Sequence, residues 1–487
     1  MRGCPIQLHG ATATSIPVRW VVRIHPILLE DIAVDTFMVS SFGSFVMVLF
    51  QPLFRDTAWQ TFSLLACGWA LASERHTITT YLWLTGATKL KHFSRFYVFL
   101  GGSLYKVRQQ LWARLLEHTD TRVSQDDPIV LELDDFTKKK AGRHIEGLDR
   151  YRNSAGSARQ EYRTLRGLNF VLGVMRLPLS GWPDYRITLP IGLELYLKEP
   201  LANKLHVTYH ARSTLAREIV DFVAQTLPER ALRVLTDGGY ATKEFLRNLP
   251  RTAQVVSRVL ITAQLYALPD LPKQRRPGRP PLKGKPLGSP KTLARKRKGW
   301  LDHPSEAGAK VQSWVALWHS VLPGRPLRVV VVRRQACKKA NRSGQRKPPP
   351  LVEAFFTTDL TLSIDDILAY YRDRWAVEID IRDSQAFYGL GQDQCRKWRR
   401  IVGANSFRLA MAAARTLWFV EQTQRTGPID LGRYRPWYRH KLAPSQLDIV
   451  WMCREALHAA GVSPIVRFLQ GMDENHDEPD NTMPLAA

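Results

Sequence analysis

A chain of 487 residues with 45% hydrophobic content is too long for one compact core and apolar enough to fill two or three. Its 70 Lys+Arg against 44 Asp+Glu leave a formal charge of +26, which points to a polyanionic partner, nucleic acid ahead of an anionic membrane surface. Five cysteines (Cys4, Cys67, Cys337, Cys395, Cys453) in no CxxC or Cys/His spacing exclude a zinc site or a disulfide framework and fit a reducing, cytoplasmic setting. The N-terminus lacks the layout of a secretory signal.

Residues from about 25 to 118 read as helical, with apolar positions at three- and four-residue spacing in TAWQTFSLLACGWALAS and SLYKVRQQLWARLLE. Thr36 to Phe54 carries no charge, but its serines and glycines, then Gln51 and Pro52, predict a buried helix of a helical domain rather than a membrane span. At Pro128 the texture changes. IVLELD, FVLGVMRLPL and YRITLPIGLELYL read as strands, HARSTLAREIVDFVAQTL as a helix and LRVLTD as a further buried strand, a mixed α/β pattern. Strands then follow at VVSRVLITAQLYAL, LRVVVVRRQ and EAFFTTDL. Between the first two lies a Pro-, Gly-, Lys- and Arg-rich stretch, about 272–300, whose composition predicts a mobile basic loop. Its GRPP core is like a minor-groove arginine hook, and Arg279, Lys283, Arg295 and Arg297 are its candidate DNA contacts. Two helical stretches and an acidic tail, read as disordered, close the chain.

Three sets of acids stand where chemistry on a phosphodiester would need them. IVLEL runs into Asp134 and Asp135, and LRVLT into Asp237 followed by two glycines that permit close approach. In SIDDILAYYRDRWAVEIDIRDSQAFYG, Ser363 and Asp366 form a capping-box pattern that starts a helix. At about 100° per residue, Tyr371, Arg374, Glu378 and Gln385 share a sector of roughly 60° on that helix, with Leu368, Trp375 and Ile379 on the adjoining apolar side. Taken alone, each of these patterns also fits a strand-ending turn or a solvated row of ion pairs.

Together the segments resemble the insertion-sequence DDE transposases of the hairpin-type, cut-and-paste branch, whose last acid lies in a Tyr-x2-Arg-x3-Glu-x6-Lys signature. Tyr371, Arg374 and Glu378 match it, and Gln385 stands where the family has Lys. LDDFT resembles the segment of the first acid, VLTDGG that of the second, and the run around Arg258 the family's β-rich insertion. The resemblance implies an RNase H-like α/β core interrupted by that insertion, with a helical N-terminal domain. It divides the chain into a DNA-binding region at 1–125, core at 126–250, insertion at 251–360, catalytic helices at 361–430 and a C-terminal region at 431–487. Asp134, Asp237 and Glu378 are then the catalytic and metal-binding acids for Mg2+, with Mn2+ able to substitute and Asp135 the alternative first acid. The resemblance also implies that Tyr371, Arg374, Gln385 and Arg258 contact DNA, and that a cation missing at Gln385 is replaced by Lys397 or Arg399. Its expected partners are double-stranded DNA, as transposon ends and target, and a second copy in a synaptic dimer, with no membrane. Such a protein works at the prokaryotic nucleoid.

Overall fold

The computed structural model describes residues 32–152, 163–269, 281–334, 351–438 and 440–462. Arg279 and the acidic tail lie outside them. The helical opening is borne out: α1 (Ile32–Val39), α2 (Ser41–Phe50), α3 (Asp56–Leu71), α4 (Ile78–Leu84), α5 (Ser94–Phe99), one π-helical turn at Leu100–Leu104, and α6 (Tyr105–Asp120). The uncharged Thr36–Phe54 stretch is not one helix. Ser40, whose hydroxyl accepts from Gly43 N–H at 3.1 Å, starts a second helix there, and the pair is bent by 84°. Among the described residues no single helix is long and apolar enough to cross a membrane.

Next come β1 (Ile129–Lys139), β2 (Asp149–Arg152), β3 (Thr164–Leu179), β4 (Trp182–Tyr196), α7 (Glu199–Lys204), α8 (Arg212–Thr226), β5 (Leu232–Thr236), α9 (Lys243–Leu246) and β6 (Ala253–Arg258). Strand β5 is buried at all five positions, as a strand with both neighbours parallel and both faces covered must be. It pairs in parallel with β1 and β6, while β1 pairs antiparallel with β3, and β3 with β4.

The segment read as an insertion contains β7 (Leu265–Tyr266), β8 (Pro286–Gly288), α10 (Pro290–Leu293), β9 (Leu301–Asp302), β10 (Lys310–Leu317), β11 (Pro326–Arg334) and β12 (Leu351–Thr357). Its strands do not form a sheet of their own. β12 pairs antiparallel with β6, so a single 12-stranded sheet runs from β2 through β3, β1, β5 and β6 to β12, β11 and β10. The basic stretch expected to be a mobile loop carries an ordered piece: Ser289 caps α10, its hydroxyl accepting from Thr292 N–H at 3.3 Å.

Four helices complete the fold: α11 (Ile364–Asp373), α12 (Ala376–Phe387), α13 (Trp398–Thr426) and α14 (Gln446–Ala459). Every residue of α13 from Ile401 to Val420 is buried, which makes it the pillar between the N-terminal helices and β4. The expected capping box at Ser363 and Asp366 is present. The single helix expected beyond it is not, because the chain turns at Arg374 and Trp375 before α12 begins. Arg176 holds Asp373 at 3.0 Å on one side of the turn, and the buried Glu132 carboxylate faces the Val377 N–H on the other. A side chain aimed at a backbone N–H in this way competes with the helical ladder. The break also turns Trp375 outward, 59% exposed, rather than into an apolar stripe.

Candidate active site

The parallel register of β1 and β5 ends at Leu133 opposite Thr236. The next residue on each strand is an acid, Asp134 and Asp237, so two carboxylates leave adjacent strands at the same level. Helix α12 packs across β1 and brings Glu378 over them. All three line one cavity of about 480 Å³, with Asp135, Arg258, Tyr371 and Arg374 also in its wall. The carboxyl end of parallel strands is where α/β sheets usually open a ligand crevice.

Polar contacts tie the acids to α11 and to the turn after it. Tyr371 Oη donates to Asp237 Oδ1 at 3.2 Å. The Arg374 guanidinium lies between the other two, 3.3 Å from Asp134 Oδ2 and 3.4 Å from Glu378 Oε1. Tyr371 packs on Phe355 at 4.6 Å between ring centroids, with Arg258 over its ring at 5.8 Å. Despite the helix break, Tyr371, Arg374 and Glu378 therefore still converge. Burial pushes the Asp134 carboxyl up to about 7, and the charges of Asp135 and Glu378 add to that rise. The Asp135 N–H, donating to Asp134 Oδ1 at 2.8 Å, and Arg374 oppose it.

Asp135 is held differently. Its Oδ2 accepts from Arg212 at 2.8 Å and from Asn169 at 3.0 Å, and its Oδ1 accepts from Tyr240 Oη at 3.3 Å. Asp134 thus shares the side of Arg374 and Glu378, whereas Asp135 is spoken for by three neighbours from β3, α8 and the turn after β5. Arg212, Asn169 and Tyr240 were not legible in the sequence, since nothing in it marks them as partners of an acid up to 105 residues away.

Three carboxylates on one cavity wall are the hard oxygen donors that suit a small divalent cation. Among the described residues no three acid, histidine or cysteine side chains stand close enough to hold a metal as they are. The arginine between Asp134 and Glu378 takes the position of the positive charge those acids require.

Gln385 is partnered by a cation of the chain itself. Its Oε1 accepts from Lys138 Nζ at 3.2 Å, so the cation beside it comes from β1. Lys397 instead pairs with Glu146 at 2.8 Å. Arg258 lines the cavity and pairs with Glu353 at 2.5 Å. Lys283, over the Tyr266 ring at 4.2 Å, and the exposed Arg295 and Arg297 belong to the β7–β9 region and are not part of the cavity wall.

Comparison with known families identifies the family. A family model described as DDE superfamily endonuclease matches residues 48–321, more than half of the chain, and the chain belongs to that family. It is a nuclease-type enzyme on a mixed α/β fold. The match takes in Asp134, Asp135 and Asp237 and ends before Tyr371 and Glu378. No curated protein matches the chain.

Proposed function

We propose that the protein is a transposase of the hairpin-type, cut-and-paste branch, cleaving DNA at the ends of an insertion sequence and joining them to target DNA. The observation that carries this reading is the convergence of Asp134, Asp237 and Glu378 on one cavity with Tyr371 and Arg374 attached to them. The strand order β4-β3-β1-β5-β6, with one acid inside β1 and another directly after β5, supports an RNase H-like core. On this reading Asp134 is the first catalytic acid, because Asp135 is already bound by Arg212, Asn169 and Tyr240.

Asp134, Asp237 and Glu378 would hold Mg2+, which when bound activates the attacking oxygen and stabilises the leaving one. The remaining chemistry belongs to the chain. Arg374 releases Asp134 and Glu378 and turns to a DNA phosphate, where a planar guanidinium can make two charge-assisted hydrogen bonds. Tyr371 leaves Asp237 and donates to the same backbone. Lys138 supplies the phosphate-directed charge that Gln385 lacks. Water is the first nucleophile, and the freed 3′-hydroxyl is the second. That hydroxyl attacks the opposite strand to form the hairpin, and the target after the hairpin is opened. Joining two ends calls for two copies of the chain on DNA.

The test is cleavage and joining of a labelled end duplex with Mg2+ by the wild type, Asp237→Ala and Glu378→Gln. Both substitutions are expected to lower the rate at least about a hundredfold, the scale seen when a single charge-stabilising group is removed from an active site, with DNA affinity nearly unchanged. Cleavage without any joined product would reduce the reading to a plain nuclease. Full activity in either variant would remove that acid from the site.

A further inference from the structure

Two basic segments more than 240 residues apart in the chain lie side by side beyond the cleft. One is the end of β1 and the loop after it, 138–146; the other is the entry to α13, 393–400. Together they hold eight lysines and arginines against two acids, Glu146 and Asp393. Neither acid is free to neutralise the surface. Asp393 is buried and bound by Lys140 and Asn405. Glu146 joins the two segments: its backbone N–H donates to Arg396 O at 2.8 Å, and its carboxylate accepts from Trp398 N–H at 3.0 Å and Lys397 Nζ at 2.8 Å. The Trp398 N–H at the start of α13 is therefore already bound by Glu146.

Beside the two segments lies a cavity of about 460 Å³ walled by Lys397, Trp398, Arg399 and Arg400 on one side and Gly101 and Gly102 on the other, with the lysine-paired Glu146 also in its wall. Its walls are firmly built. A Cβ on Gly403 would come within 1.9 Å of Leu100 O, and one on Gly101 within 2.6 Å of Arg400 Cγ, so the π-helical turn is locked against α13. Arg399 lies over the Tyr105 ring at 5.9 Å and the Trp398 ring at 5.3 Å, and it has no carboxylate partner among the described residues. Arg396, in the same segment, is also exposed.

We propose that this patch binds the backbone phosphates of duplex DNA, as a second anchoring surface for the duplex whose reacting phosphate lies in the cleft. The proposal rests on the transposase reading for that duplex. Gathering like charges on a rigid wall is unfavourable unless a polyanion neutralises them, and β1 connects the patch to the cleft without a break. At about 3.3 Å per residue, Lys140, whose amine meets Asp393 at the entry to α13, stands on the order of 20 Å beyond Asp134, roughly six base pairs of DNA at 3.4 Å each. A duplex reaching from the cleft to the patch spans that length.

The experiment is binding of a labelled 30-base-pair duplex to the full chain against NaCl, without divalent metal, so that neither cleavage nor joining affects it. The variant is Arg396→Glu with Arg399→Glu, both exposed side chains. The control for a single charge reversal is Arg425→Glu, about 39 Å along the same helix at 1.5 Å per residue. The double variant is expected to reduce the slope of log affinity against log salt by about two, near 0.9 for each phosphate no longer neutralised. Arg399→Gln alone should give about half that change. A double variant that behaves like Arg425→Glu overturns the proposal. So does a wild type that binds anionic phosphatidylserine vesicles more tightly than the duplex and loses that preference in the double variant, which would make the patch a membrane surface. Loss of strand transfer in an enzyme that keeps this salt dependence would instead count against the transposase reading.

Discussion

Helices α12 and α13 follow each other in the chain, and both bury charged residues, yet they hold charge in opposite ways. In α13 the buried charges cannot leave. Arg408, 3% exposed, donates to His76 O at 2.5 Å, and Arg415 lies 4.0 Å from the Trp69 ring centroid. On α12, Glu378 faces an open cavity, and its only hydrogen bond among the described residues is a long one of 3.4 Å from Arg374. Its other side is anchored by buried Asp380, which accepts from Thr188 at 3.0 Å. Charge locked in short contacts serves the fold, while charge in long contacts across a cavity can exchange its partner for a ligand. The two helices thus separate stability from chemistry, and substitutions should separate them too.

The sharpest test lies on β1. Asp134→Asn should lower strand cleavage at least about a hundredfold, while Asp135→Asn, which weakens only the hydrogen bonds to Arg212, Asn169 and Tyr240, should lower it by about tenfold, as removal of a supporting neighbour does. Equal losses in a single-turnover assay would erase the distinction between the two acids. On the stability side, Arg408→Ala leaves the His76 carbonyl unpaired and a cavity in the pillar. It should lower the unfolding free energy in urea by about 3 kcal/mol without changing duplex affinity at temperatures where the variant is folded.

His76 gives a pH test of the same region. Burial, then the charges of Arg408 and Arg415, push its imidazole down to about 3 from an ordinary 6.5. A depressed folded value means that the unfolded chain takes up the proton first. The contribution of His76 is therefore complete above about pH 6.5 and is lost as pH falls from there toward 3. Urea midpoints of His76→Gln should show a shallower fall across that window than the wild type, and parallel curves would contradict the assignment. The smallest effect is expected at the start of α11. Ser363→Ala removes the capping box and should cost about 1 kcal/mol, with the cleavage rate changed less than in either β1 variant.

Much of the fold was legible because local pattern and tertiary role agree. The helices from α2 to α6, the strand leading to Asp237, the first half of β1 up to Asp134, helix α8 and the cap at Ser363 all follow from periodicity and capping chemistry. Strand β10 was not read, since KVQSWVAL neither alternates cleanly nor runs apolar throughout, and its burial is set by β11 pairing alongside. The continuous helix through Glu378 was overread, because the residues that break it, Glu132 and Arg176, come from β1 and β3.

The sequence by itself determined the residue types: acids after two strands, a tyrosine, arginine and glutamate at helical spacing, and a large basic excess. Only the tertiary structure decided which of two adjacent aspartates shares Arg374 with Glu378, that Lys138 supplies the cation beside Gln385, and that 138–146 and 393–400 form one surface. The reason is physical. Spacing along a chain fixes neighbours within an element, whereas register between strands and the seating of one helix on a sheet depend on contacts between residues hundreds of positions apart.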